Sequence, residues 1–185
     1  MGFHTFDADR AERLDRPDRY RWVSAEELVG PLIEGGVEVV ADLGSGTGFY
    51  TDDVAEHAET VYGVDVQSEM HEYYREKGAP DNVDLVASDV ADLPFADGEI
   101  DGAFSTMTYH EFASPEAIDE VARVIRSDGR LVVFDWSADG GGDHGPPVDE
   151  RYPVSDARDA LAEAGFDVER AETRTETFAL VARAP

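Results

Sequence analysis

The chain has no cysteine, which excludes disulfides, a thiolate nucleophile and cysteine metal sites. Lysine is almost absent: Lys77 is the single one, and every other basic residue is arginine. Only 15 basic residues stand against 42 acids, for a formal charge of -27. No basic patch is visible, which argues against nucleic acid or an anionic membrane as partner. Apolar runs long enough for a membrane span, roughly 18 residues, are missing, and so is a signal-peptide pattern. A soluble, cytoplasmic protein is therefore expected. His4, His57, His71, His110 and His144 share no ligand spacing, so no metal site is expected. There is no Gly-x-Ser-x-Gly elbow of the kind hydrolases use.

What is present is enough for a packed domain. The 185 residues are 42% apolar, which supports one domain with a sizeable core rather than a disordered chain. The acids are spread along the whole length. An even acidic coat with one lysine resembles proteins of salt-loving archaea. Repulsion within such a coat destabilises the compact state in dilute buffer. At molar salt the Debye length falls to about 3 Å and most of that repulsion is screened.

From residue 37 onward the pattern alternates strand and helix. Strands are expected at 37–42, 60–65, 83–88, 99–106 and 129–136, with helices near 48–58, 68–77 and 115–126. Alternation of this kind implies a parallel sheet covered on both faces. Upstream, Ser24-Ala-Glu-Glu27 is a capping box that opens a helix, with Pro31 placed to kink it and Gly35-Gly36 to end it. Residues 137–153, rich in Gly, Asp and Pro, read as a mobile loop. A helix at 156–164 and two strands, 166–174 and 177–183, close the chain, the strands pairing antiparallel across a tight connection. Residues 1–23 carry Phe3, Phe6, Tyr20 and Trp22 but form no clear amphipathic element.

The most informative stretch is Asp42-Leu-Gly-Ser-Gly-Thr-Gly-Phe-Tyr50. A strand that turns through glycines into a helix brings backbone close to a nucleotide cofactor. Asp42 selects among cofactors. A carboxylate here repels a dinucleotide's pyrophosphate but attracts the ammonium of S-adenosyl-L-methionine.

With that acid and Gly44, Gly46 and Gly48, the chain resembles the class I S-adenosylmethionine-dependent methyltransferases from about residue 37 to the end. The resemblance implies a Rossmann-like, doubly wound α/β fold. Its seven-stranded sheet is mostly parallel, with a C-terminal antiparallel hairpin. It implies one domain over 1–185, with residues 1–36 as a lid and helix segment and 37–185 as the cofactor-binding core. Asp65, at the end of the second strand, matches the acid that accepts the ribose hydroxyls, with Val66 beside it. Asp89 and Val90 match the positions at the adenine, and Asp92 is a nearby turn residue. Ser45 and Thr106 complete the expected cofactor contacts. The layout most resembles the small-molecule branch near the quinone-biosynthesis methyltransferases, and it lacks the Asn/Asp-Pro-Pro-aromatic motif of nucleic-acid amine methylation.

The fourth strand ends in Ser105-Thr-Met-Thr-Tyr-His-Glu-Phe112, where the sheet's carboxyl ends border the ligand. His110 is the candidate base, with Tyr109 or Glu111 orienting it or the acceptor. The small-molecule acceptor itself and the oligomeric state are not legible. Two other functions stay open on sequence: a cofactor-binding regulatory or partner subunit without catalysis, and an NAD-dependent oxidoreductase, which Asp42 and bulky Phe49 disfavour.

Overall fold

The structure is a computed structural model and describes residues 8–185, so Phe3 and Phe6 lie outside the described residues. Seven strands are formed: β1 Val39–Leu43, β2 Thr60–Asp65, β3 Val83–Ala87, β4 Ile100–Thr106, β5 Ile125–Trp136, β6 Asp167–Thr173 and β7 Thr177–Arg183. They make a single sheet in the order β3-β2-β1-β4-β5-β7-β6, with β7 antiparallel to both of its neighbours. The order reverses at β1, which pairs with β2 on one side and β4 on the other. Such a reversal opens a crevice beyond the strands' carboxyl ends.

Helices cover the two faces. Ala25–Ile33 is α1 and Phe49–Ala55 is α2; Ser68–Lys77 is α3, the single turn Tyr109–Phe112 is α4, Pro115–Val124 is α5 and Val154–Glu163 is α6. The capping box at Ser24 and Glu27 is made in both directions. Pro31 sits in the last turn of α1 and does not stop the helix before Ile33. On α5, Ile118, Val121 and Val124 are buried at helical spacing, each burial stabilising the fold by about 1.5–3 kcal/mol.

The pleat divides the core in two. Val40 packs with Leu28, Leu32, Tyr50 and Val54 of α1 and α2. Ala41 and Leu43 pack instead with Ile118, Val121 and Leu161 of α5 and α6. By the two-residue period Asp42 shares the face of Val40, so it ends an otherwise apolar row.

Two expectations need correction. The helix expected at 115–126 ends at Val124, and its chain continues directly into β5, which starts four residues earlier than expected. Residues 137–153 contain no long regular element but are held in place. The Arg151 guanidinium is buried, and it donates to the carbonyls of His144, Pro146 and Ser137. Glu176, also buried, accepts from the Gly142 N–H at 3.1 Å. One arginine collecting carbonyls fixes a loop that composition alone describes as loose.

Candidate functional site

A cavity of about 1230 Å³ opens at the carboxyl ends of β1, β2 and β4. Its lining includes Asp42, Gly44, Ser45, Gly46, Asp65, Val66, Asp89, Val90 and Thr106, so nine of the ten expected cofactor residues meet there.

Asp42 is buried at the end of β1. Its Oδ2 accepts the Thr51 hydroxyl at 2.6 Å, while its Oδ1 is buried without a partner. Burial pushes its carboxyl up to about 7; the Thr51 hydrogen bond opposes the rise and the charge of Asp65 adds to it. The Ser45 hydroxyl is likewise buried and unpartnered. A buried polar atom left over in a cavity wall is completed by water or by a ligand, and these two face the same cavity. Asp65 is anchored differently. Its Oδ2 accepts from Gly46 N–H at 2.8 Å and its Oδ1 from Gln67 N–H at 2.9 Å. Two backbone donors fix the carboxylate and leave lone pairs unspent. Asp89 holds its own turn through Ala91 N–H at 2.9 Å. Asp92 lies off the cavity, and its carbonyl receives the Ser88 hydroxyl at 2.6 Å.

Gly48 is the exception. It does not line the cavity but caps α2 in the left-handed conformation, with φ 80°. A Cβ there would overlap the ring of Tyr74, whose hydroxyl donates to Asp52 at 2.6 Å. The third glycine therefore serves the fold, by letting α3 close against the loop.

His110 and Glu111 line the same cavity. Met107, with φ 61°, turns the chain out of β4 in a conformation that costs a non-glycine residue about 1–3 kcal/mol. That turn delivers α4. The His110 N–H donates to Asp135 Oδ2 at 2.6 Å, and Nδ1 lies 3.0 Å from both carboxylate oxygens. Trp136 N–H donates to the same group at 2.7 Å. Asp135 is fully buried at the end of β5. A carboxylate only accepts, so Nδ1 carries the proton shared with Asp135, and in the neutral ring Nε2 keeps its lone pair. Burial opposes protonation of His110, but the charge and hydrogen bonding of Asp135 outweigh it and raise its pKa. Glu111 is raised to about 7, chiefly by burial, with His110 pulling the other way. It lies 3.9 Å from Nε2, beyond hydrogen-bond reach.

The orienting residue is thus Asp135, which the sequence reading did not single out. Tyr109 is a correction as well. Its ring is buried in the core against Phe112, Tyr152 and Phe178 and does not line the cavity. The acid in β5 did leave a signal: it interrupts the buried run Leu131–Phe134, and a lone buried carboxylate requires a partner.

The N-terminal arm also lines this cavity. Two 3-10 turns, Ala8–Arg13 and Pro17–Arg21, form where no amphipathic element was expected. The arm is tied down by Thr47 to Asp15 at 3.0 Å, by Tyr50 to the carbonyls of Arg19 and Val23, and by Arg174 to the carbonyl of Trp22 at 2.8 Å. Trp22 reaches Trp136 and His144, with ring centroids 5.3 and 4.9 Å apart, and all three line the cavity. No helix among the described residues is long and apolar enough to cross a membrane.

Comparison with known proteins agrees with this geometry. A family model described as a methyltransferase domain matches residues 41–133. A demethylmenaquinone methyltransferase of Corynebacterium kroppenstedtii is 37% identical over 101 residues, 54% of this chain and 42% of that protein. An uncharacterised methyltransferase-like protein of Schizosaccharomyces pombe is 32% identical over 111 residues, 60% of this chain and 41% of that protein. The match therefore spans about two fifths of the length of both these relatives. A solved SAM-dependent methyltransferase from Aquifex aeolicus covers 98% of this chain and 100% of its own, with TM-score 0.84 and 30% identity. The chain belongs to the methyltransferase-domain family of S-adenosylmethionine-dependent enzymes.

Proposed function

We propose that the protein transfers a methyl group to a small, flat acceptor that gives up a proton in the process, with His110 as the base. The observation that carries this reading is the His110–Asp135 pair opening into the same cavity as Asp42, Asp65 and Asp89. At about 1230 Å³ the cavity exceeds the roughly 300–1,000 Å³ of a single small-ligand site, so donor and acceptor fit together.

The residues fit the methyl donor. The free Oδ1 of Asp42 would take its ammonium, and that charge would restore the carboxylate that burial disfavours. Asp65 would offer its remaining lone pairs to the ribose hydroxyls, and Asp89 with Val90, which line the same cavity, would meet the adenine. When bound, the donor supplies a methyl group on a sulfonium, already activated for displacement. The protein's share is alignment, which is worth up to about 7–11 kcal/mol of barrier. Trp22, Trp136 and His144 wall the acceptor's end with aromatic surface, which favours a flat ring over a polymer. His110 Nε2 accepts the acceptor's proton, and Asp135 stabilises the imidazolium that forms.

The test is transfer of labelled methyl from S-adenosylmethionine into a deproteinised, nucleic-acid-free cell extract, with the precipitated protein and RNA assayed alongside. Label in the small-molecule fraction, lost with His110→Gln, supports the reading. Label confined to protein or RNA overturns it.

A further inference from the structure

The wall around His110 carries charge of one sign. Among the described residues five glutamates are not exposed: Glu27, Glu111, Glu120, Glu150 and Glu176. Arginine holds three of them, Arg174 at Glu27, Arg123 at Glu120 and Arg151 at Glu176. The two without an arginine are Glu111 and Glu150, and both line the cavity. Both act on the His110 ring with the same sign as Asp135. Asp135 is already spent, on Nδ1 and on the N–H groups of His110 and Trp136.

The His110 side chain is only 9% exposed, yet it lines the cavity, and its Nε2 has no hydrogen-bond partner in the protein. A buried base and an unspent carboxylate 3.9 Å apart thus share one cavity wall. Sign decides which acceptor suits them. A phenol or enol that loses its proton here becomes an anion among three carboxylates, which repel it. An ammonium is attracted before it loses its proton and is neutral afterwards. Aromatic surface adds to that attraction, since Trp22 lies 5.3 Å from Trp136 and 4.9 Å from His144, and indole faces bind cations. Two arginines near these rings do not reverse the balance. Arg21, 4.4 Å from the Trp22 ring, is exposed and screened, and Arg151, 5.6 Å from that of Trp136, is paired with Glu176.

We propose that the acceptor is a small ring-bearing ammonium, methylated on nitrogen, and that Glu111 receives its charge. This rests on methyl transfer in the cavity with His110 as the base, and it names the acceptor atom. His110 Nε2 takes one proton from the ammonium. The lone pair so freed forms the N–C bond as the bond from the methyl carbon to sulfur breaks, its electrons staying on sulfur. The products are an N-methylated ammonium, a thioether and an imidazolium, so atoms and charge balance.

Two measurements test this. The first is transfer from S-adenosylmethionine with a carbon-13 methyl group into the small-molecule extract, read by the carbon chemical shift of the product's methyl. An N-methyl shift is expected. An O-, C- or S-methyl shift overturns the amine and leaves methyl transfer standing, whereas no label in the small-molecule fraction overturns the reading beneath it. The second is calorimetric titration of protein loaded with S-adenosylhomocysteine, using benzylamine, benzyl alcohol and benzoate at about pH 8, where the amine and the carboxylates are charged. Benzylamine is expected to bind roughly 10-fold or more tightly than either of the others, the range of a charge-assisted contact. Glu111→Gln should erase most of that preference while S-adenosylhomocysteine affinity holds, which reports an intact pocket. Glu59→Gln, removing an exposed charge outside the cavity, should keep it. If Glu111→Gln does not fold, Glu150→Gln takes its place and should lower the preference in part. Benzylamine bound no better than benzyl alcohol by the wild type, or a preference unchanged in the glutamate variant, overturns the proposal.

Discussion

One group in the cavity wall, Asp42, Asp65 and Asp89, stands at the carboxyl ends of β1, β2 and β3, which are neighbours in the sheet. In a second group, His110, Asp135 and Trp136, Trp22 and His144 come from four separate segments and meet only in the folded chain. The first group is a repeated local device in which strand, turn and helix place an acid by chain geometry. The second depends on long-range packing, and each of its members lacks a signature of its own. The difference separates what local chain geometry places from what only long-range packing assembles.

The sharpest way to break the comparison is to disable the acceptor end alone. His110→Gln is expected to lower turnover by about 100- to 10,000-fold while S-adenosylmethionine affinity holds, read by calorimetry beside a transfer assay. Asp135→Asn gives the pH test. Asp135 raises the His110 pKa above its ordinary 6.5, so the free Nε2 appears only as pH passes that raised value, and turnover rises there. In Asp135→Asn that limb should move to lower pH, because burial, which lowers the pKa, remains. Linkage has the same sign. A raised folded pKa means the pair stabilises the fold fully below about 6.5, and this is lost as pH rises through the folded value. Melting curves across that range should show the loss in the wild type and not in Asp135→Asn. Coincident pH limbs in the two proteins would remove Asp135 from the mechanism.

How much of this was legible follows from the same contrast. The sheet, its hairpin and the three acids were visible, because parallel strands are apolar runs and the loops after them are short. The single turn Tyr109–Phe112 is too short to show periodicity, so nothing in the residues told Tyr109, which faces the core, from His110, which faces the cavity. Asp135 was hidden among 42 acids, and only its place in a buried strand distinguished it. The arm is built of 3-10 turns, and the loop after β5 is fixed by one buried guanidinium; neither has a pattern that precedes folding.

Within the glycine loop the comparison can be sharpened at smaller cost. Gly48→Ala places a Cβ against the Tyr74 ring at φ 80°, and strain with overpacking should destabilise the fold by about 2–5 kcal/mol. Gly46→Ala meets only the Leu14 side chain, 3.4 Å away. Its cost should be near the 1–2 kcal/mol of a left-handed alanine, with the larger effect on cofactor affinity. Denaturant melts with parallel titrations separate the two. Equal losses of stability would mean that the loop does not divide its work between fold and ligand.

The smallest expected effect is at Tyr109, and a null result there carries information. Its ring packs edge-on against Tyr152 and Phe178, off the cavity, and burial raises its hydroxyl pKa. Tyr109→Phe keeps the ring and the packing. Stability should change by less than about 1 kcal/mol, and turnover and its pH profile should stay at wild-type values. A tenfold fall in turnover with an unchanged melting curve would draw the acceptor's boundary one residue wider, through α4 itself. An unchanged profile leaves His110 as the residue of that turn through which chemistry passes, with its neighbour holding the turn to the core.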